Sequence, residues 1–404
     1  MTAPVTVVGV GPGGLAGGGE EALPGATLVV GGARHLARWA PPGIATVELT
    51  GDLQPGLAAV AAAAGPVVVL ASGDPGFFGI VRALATRFGR ERLRVLPAVS
   101  SVAAAFAAAG LPWDDAVVAS AHGRDPTVAV HACLAHPKVA VLTSPRFSPA
   151  DLASALVDTG VERTLVVAER LGEPDARLVE VDTVTAAATT WTDPNVVVVL
   201  DPRRPLVGPR PVLHPPRAVP SRWALDADAF AYRDGMISKT EVRAAALAEL
   251  APATGDLLWD VGAGSGSVGI ECARFGAAVI AVDRDPHACA LVRKNAAVFD
   301  VAVRVVSGAA PAALTDLPDP DAVFVGGGGT DLGAILDVVL ARTRRAVVVS
   351  LATVERVGPT LAAFHDGRWS ARARMLQAAD VVPLGAGHRL AATNPVFVVV
   401  GRRP

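Results

Sequence analysis

Lysine is nearly missing from this sequence: only three of its 36 basic residues are Lys, and the rest are Arg. Aromatic residues are also scarce, at 4% with a single Tyr (Tyr232), and charged residues make up only 18%. The net charge is −2, so the basic surplus that bulk nucleic-acid binding requires is lacking. Cysteine is limited to Cys133, Cys272 and Cys289, too few and too far apart for a disulfide framework or a zinc spacing. These thiols are expected to be buried in a reducing compartment. No His/Cys/Asp/Glu cluster with ligand spacing is present, so no metal is expected. The N-terminus has no basic segment ahead of its first apolar run, so no signal peptide is read and a cytoplasmic location is expected. Long membrane-type runs are also lacking. The charge-free run Val95–Trp113 is interrupted by Pro97 and Pro112 and contains Ser100, Ser101 and Gly110, unlike the roughly 20 apolar residues of a spanning helix.

The sequence is rich in Ala, Gly and Val, and 51% of it is hydrophobic, which excludes a disordered chain. Its 404 residues suggest two or three domains. From Pro202 to Pro220 there are seven prolines, four arginines and no acid, the composition of a stiff extended linker. The expected division is therefore 1–202, a linker at 203–222, and 223–404. In both parts short β-branched runs alternate with Ala-rich segments, which indicates an α/β fold. Runs such as Val196–Leu200 show no polar alternation and read as parallel strands buried on both faces. Strands are expected near 4–10, 26–30, 66–71, 92–96, 116–120, 138–142, 162–168 and 196–200. In the second part they are expected near 256–261, 278–283, 302–307, 321–325, 345–350, 368–377 and 395–401.

In the second part, Leu257–Val261 leads into Gly262-Ala263-Gly264-Ser265-Gly266 and then a helical segment. Glycines here let the backbone approach a ligand closely. Asp260 closes the strand, and Asp283 closes the next one, 21 positions after Gly262, where an acid can accept from both hydroxyls of a ribose. A pyrophosphate site uses G-x-G-x-x-G instead. This G-x-G-x-G with its preceding acid resembles motif I of the class I S-adenosylmethionine (SAM)-dependent methyltransferases. Gly326–Gly329 follows the fourth strand without a nucleophile or aromatic residue, which suits a bulky substrate with a carbon acceptor and equally a flexible loop closing the cofactor pocket. His388 and Arg389, expected at the pocket rim, are candidates for proton transfer and for a substrate carboxylate.

The first part contains a literal G-x-G-x-x-G (Gly9, Gly11, Gly14), which raises the alternative of an NAD-dependent oxidoreductase. Two features oppose it. The next strand ends in Gly31-Gly32 where an acid should hold the ribose, and Pro12 removes an N–H donor. Gly9–Gly13, Ser72-Gly73-Asp74-Pro75-Gly76-Phe77-Phe78-Gly79 and Pro97-Ala98-Val99-Ser100-Ser101 together resemble the three main motifs of the tetrapyrrole methylases, a two-lobed class III fold. Ala119–Arg124 and Ala168–Pro174 resemble the branch that methylates ring carbon 5 of a precorrin. That resemblance implies a substrate-side loop at Gly11, Pro12 and Gly13, with Gly11 and Pro12 also reaching the cofactor. It implies SAM binding by Gly73, Asp74, Ser100 and Ser101, and substrate contacts by His122 and Arg124. The short Gly-rich stretch Leu15–Gly19 departs from the family pattern.

Asp234–Arg243, Val261–Gly266, Asp283–Pro286, Gly326–Gly329 and Asn394–Val396 resemble the decarboxylating precorrin methyltransferases. Both halves in this order resemble the fused decarboxylating precorrin C5,15-methyltransferase family of cobalamin biosynthesis. The resemblance implies a class III domain followed by a class I Rossmann-like domain, with two SAM sites. It implies methylation at ring carbons 5 and 15 and decarboxylation of the acetate chain on carbon 12. The implied partner is a polycarboxylate precorrin, metal-free or cobalt-bound, with Arg124, Arg243 and Arg389 as candidate carboxylate ligands. A homo-oligomer is expected, without nucleic acid or membrane. A non-catalytic SAM sensor is the remaining reading.

Overall fold

The computed structural model describes residues 4–123, 125–204, 223–233, 237–326, 329–365 and 367–404. Most of the expected linker, 205–222, and Arg124 lie outside the described residues.

Three sheets organise the chain. The first contains β1 Val5–Gly11, β2 Gly14–Leu15, β3 Leu28–Gly31, β4 Ala45–Glu48, β5 Val67–Ser72 and β6 Leu93–Leu96. β1 lies at its centre, parallel to both β5 and β6, and the order continues through β5 and β3 to β4. The second contains β7 Val117–Ser120, β8 Lys138–Leu142, β9 Thr164–Glu169, β10 Arg177–Asp182 and β11 Asn195–Leu200. Its order is β10-β9-β11-β8-β7, and only the β7–β8 pair is parallel. The run Val196–Leu200, expected to be parallel, is buried as expected but pairs antiparallel with both β8 and β9, because an unbroken apolar run reports burial of both faces and not strand direction. These two sheets are the two lobes of the first half.

The third sheet contains β12 Leu257–Val261, β13 Ala278–Asp283, β14 Arg304–Ser307, β15 Ala322–Gly326, β16 Ala346–Leu351, β17 Ser370–Leu376 and β20 Val396–Arg402. Its order is β14-β13-β12-β15-β16-β20-β17, parallel up to β16 and antiparallel beyond. The reversal from β13 to β15 around β12 is the crevice where open α/β sheets bind ligands. β18 Ala379–Leu384 and β19 Gly387–Ala392 form a separate exposed hairpin.

The third sheet shows why unbroken apolar runs mark buried strands. Every residue of β12 is buried. Leu257, Trp259 and Val261 pack on one face, and Leu258 packs with Val279 and Phe324 on the other. The first face continues into the second lobe, because its core includes Ala129 and Cys133 of the helix Thr127–Ala135. His131 of that helix places Nδ1 2.9 Å from the Gly255 carbonyl and 3.4 Å from Asp321 Oδ2. Gly255 precedes β12 and Asp321 precedes β15. The first half therefore docks at the N-terminal edge of the third sheet. The strands then run for about 13 Å, at about 3.3 Å per residue, to their opposite ends.

Arg243 occupies a different place from the one its sequence context suggested. The side chains of Arg243 and Glu271 are both 0% exposed and paired at 2.7 Å. Glu271 also accepts from the Ala224 and Leu225 amides, and Arg243 Nη1 donates to the Ser238 carbonyl at 2.6 Å. This network clamps residues 224–225 and 238 onto the domain, and it leaves no guanidinium for a substrate carboxylate. All three cysteines are free and buried. Among the described residues no helix is long and apolar enough to cross a membrane.

Removing one partner strands a buried charge. Arg243→Ala is expected to destabilise the second half by about 3–5 kcal/mol, read as a fall in its urea midpoint. A loss within about 0.5 kcal/mol, ordinary for a surface site, would contradict this role.

Candidate active sites

The first cleft lies between the two lobes of the first half, with a volume of about 180 Å³. Gly11, Pro12, Ser72, Gly73 and Ser101 line one side, and Ala168, Gly172, Glu173 and Asn195 line the other. The lobes meet closely: a Cβ on Gly172 would lie 2.3 Å from Pro12 Cα. Behind the cleft, a Cβ on Gly9 would lie 2.4 Å from the Gly73 carbonyl oxygen and 2.6 Å from the Ala98 nitrogen. Gly9 is thus required where the ends of β1, β5 and β6 converge.

Two of the expected ligand residues have structural partners. Asp74 Oδ1 accepts from Gly76 N at 2.8 Å and holds the Gly-Asp-Pro turn. Ser100 Oγ caps the helix Ser101–Ala109 by accepting from Ala103 N at 3.1 Å. Neither lines the cleft, whereas Gly11, Pro12, Gly73 and Ser101 do. His122 is exposed in a turn after β7 and is also outside the lining. The literal G-x-G-x-x-G does not open a helix. Gly11 pairs with Gly14, and the chain doubles back as β2, so no helix N-terminus is presented to a pyrophosphate.

The helix Ala33–Trp39 supplies four lining residues that the sequence reading missed: Arg34, His35, Arg38 and Trp39. The sequence marks them only by Gly31-Gly32-Ala33-Arg34-His35 at the end of β3, basic residues where a dinucleotide site would have an acid. His35 is 7% exposed, and its Nε2 lies 2.7 Å from Ser72 Oγ. Burial holds its pKa below the ordinary value, Arg34 and Arg38 push the same way, and Glu173 opposes.

The second cleft, about 640 Å³, lies at the C-terminal ends of β12, β13 and β15. Gly262, Gly264, Asp283, Arg284, Lys239 and Gly326 are among its lining. Gly262, Gly264 and Gly266 all have positive φ, of 70°, 56° and 74°, a backbone that residues with a Cβ resist. A Cβ on Gly262 would sit 2.9 Å from the Gly326 carbonyl oxygen, and one on Gly326 would sit 2.8 Å from that of Gly262. Asp283 accepts from Gly264 N and Asp285 N, one at each oxygen and both at 2.9 Å. Further lone pairs remain for a ligand hydroxyl.

Asp260 stands behind this turn, 2% exposed and outside the lining. Oδ2 accepts from Gly269 N at 2.9 Å, while Oδ1 is buried without a hydrogen bond. Burial pushes its pKa up to about 7, with Asp283 adding to the rise and the Gly269 amide opposing it. His388 and Arg389 are not at the rim. They lie exposed on β19, where His388 pairs with Pro383 of β18, outside both cleft linings. The turn Leu384–Gly387 folds them back onto β18, in a two-stranded sheet separate from the third sheet. Among the described residues no group of His, Cys, Asp and Glu is placed to hold a metal ion.

Known families match both halves. Residues 4–187 match the Tetrapyrrole (Corrin/Porphyrin) Methylases, and residues 228–402 match the Precorrin methyltransferase domain. The chain is 39% identical over 348 residues to the precorrin-6Y C(5,15)-methyltransferase [decarboxylating] of Sinorhizobium sp, covering 82% of this chain and 80% of the relative. It is 36% identical to the cobalt-precorrin-7 C(5)-methyltransferase of Salmonella typhimurium, covering 49% of this chain and 100% of the relative. It is also 36% identical to the probable cobalt-precorrin-6B C(15)-methyltransferase (decarboxylating) of Pyrobaculum calidifontis, covering 40% and 87%.

The raised Asp260 pKa carries a signed expectation. An unfolded Asp titrates near about 3.9. Between about pH 4 and 7 the folded chain holds a proton that the unfolded chain has lost, so this group's stabilisation fades as pH rises and is gone above about 7. The urea midpoint of Asp260→Asn is therefore expected to fall less between pH 5 and pH 8 than that of the native chain. Equal falls would contradict the assignment.

Proposed function

The chain belongs to the decarboxylating precorrin-6Y C(5,15)-methyltransferase family, and we propose that its two halves divide that activity between two SAM sites. It is a SAM-dependent methyltransferase of cobalamin biosynthesis that acts on a precorrin-type tetrapyrrole. In this reading the first half, 1–202, methylates ring carbon 5. The second half, 223–404, methylates carbon 15 and removes CO₂ from the acetate chain on carbon 12. The observation that carries it is the pair of clefts: each lies where glycines bring strand ends closer than a Cβ permits, and each is built on a different sheet.

The residues present fit the donor. At the second cleft, Asp283 offers acceptors to a ribose and the Gly262 and Gly264 backbone lines the space beside it, whereas Gly266 is outside the lining and packs against Val292. At the first, Gly11, Pro12, Gly73 and Ser101 form the corresponding wall. When bound, SAM supplies an electrophilic methyl group on its sulfonium. The bridging carbons of a reduced tetrapyrrole are enamine-like nucleophiles, so the chain's task is alignment at about 3–3.5 Å and exclusion of water. Arg34 and Arg38 hold substrate carboxylates at the first cleft, and Lys239 and Arg284 do so at the second. The ring accepts the electron pair released with CO₂.

The same reading includes self-association. Its support is the apolar surface of the β18–β19 hairpin, where Val381, Leu384 and Leu390 are each at least 60% exposed. It also includes a cytoplasmic location, supported by the three free thiols.

Incubated with SAM and a metal-free precorrin-6-type tetrapyrrole, the chain is expected to yield a product with two added methyl groups and one CO₂ fewer. Gly264→Arg is expected to lose the C15 methylation and the decarboxylation while keeping the C5 methylation, and Gly73→Arg is expected to do the reverse. Loss of both activities in both variants, or an unchanged tetrapyrrole mass with the native chain, would contradict the division.

A further inference from the structure

Methylation at a ring carbon that bears hydrogen releases a proton, and the first cleft contains a buried pair of side chains suited to receive it. We propose that Ser72 and His35 form a proton relay for the methyl transfer in the first half, an inference that rests on the functional reading above. Ser72 ends β5 immediately before Gly73, so its hydroxyl stands at the wall assigned to the methyl donor, and both it and His35 line the cleft. The 2.7 Å contact between Ser72 Oγ and His35 Nε2 is a full hydrogen bond. The relay uses the tautomer in which Ser72 donates to an unprotonated Nε2.

The π pair of the bridging carbon forms the new C–CH₃ bond, and the S–CH₃ bond of the donor breaks with its pair left on sulfur. The C–H bond at the same carbon then breaks, and its pair restores the ring π system. The proton passes to Ser72 Oγ as the Ser72 proton passes to His35 Nε2. A cationic, methylated ring carbon is a strong acid, so a weakly basic imidazole is a sufficient acceptor. What the relay requires is a neutral imidazole at the start of the reaction. Arg34 and Arg38 from its own helix oppose its protonation, as does burial, while Glu173 from the facing lobe favours it. Ser72 of β5 is the neutral neighbour.

The test uses the full chain with the precorrin substrate and SAM, comparing native protein with His35→Asn and Ser72→Ala. The native rate of first-half methylation should be flat at neutral pH and fall only below about pH 6.5, as His35 becomes protonated. His35→Asn should slow the reaction by about 100-fold and abolish that acid limb, and Ser72→Ala should also slow it. SAM binding, read by calorimetry, should persist in both variants, which excludes a collapsed cleft. The His35 ring resonance, identified by its loss in His35→Asn, should titrate below pH 6.5 in the native chain and shift in Ser72→Ala. An acid limb that persists in His35→Asn, or variants with native rates, would overturn the relay while leaving the methyltransferase reading intact. A native chain that binds SAM but transfers no methyl group in its first half would overturn the functional reading, and the relay with it.

Discussion

Backbone approaching backbone too closely for a Cβ is the constraint from which both clefts follow. Gly262 and Gly326 face each other at the ends of β12 and β15, and Gly9 sits between the Gly73 carbonyl and Ala98. Across the lobes of the first half, Gly172 presses on Pro12 in the same way. Any side chain at these points would separate the strand ends. Backbone therefore forms part of each wall, beside side chains such as Arg34, His35 and Trp39 at the first cleft and Lys239 and Arg284 at the second.

What could be read from the sequence followed burial. Strands covered on both faces, such as β12 and β13, announce themselves as unbroken apolar runs. Of the strands not expected, β2 is a half-buried pair of residues, and β4, β10, β18 and β19 are almost wholly exposed. Their residues meet solvent, so no apolar pattern marks them, and only pairing to a neighbour defines them. The glycine turns were legible because left-handed backbone restricts residue choice. The fate of charged residues was not. Arg243 looked like a carboxylate ligand, but Glu271, 28 positions away, takes it into the core. Arg34 and His35 were passed over because cleft membership depends on how the helix Ala33–Trp39 faces β5, which sequence spacing does not encode. Asp74 and Ser100 illustrate a related point, since the residues that make a turn or a cap need not be those that line the cleft beside it.

The arrangement of the halves constrains the chemistry further. Helix Thr127–Ala135 docks where β12 and β15 begin, with His131 at the Gly255 carbonyl and Asp321, whereas the second cleft opens where the same strands end. The length of the sheet thus lies between the docking surface and that cleft. Each cleft keeps its own glycine framework and its own basic residues.

The central claim is that each half holds its own methyl donor, and counting bound ligand tests it most directly. Isothermal titration of the full chain with S-adenosylhomocysteine should saturate at two equivalents per chain. Saturation at one equivalent would contradict the account.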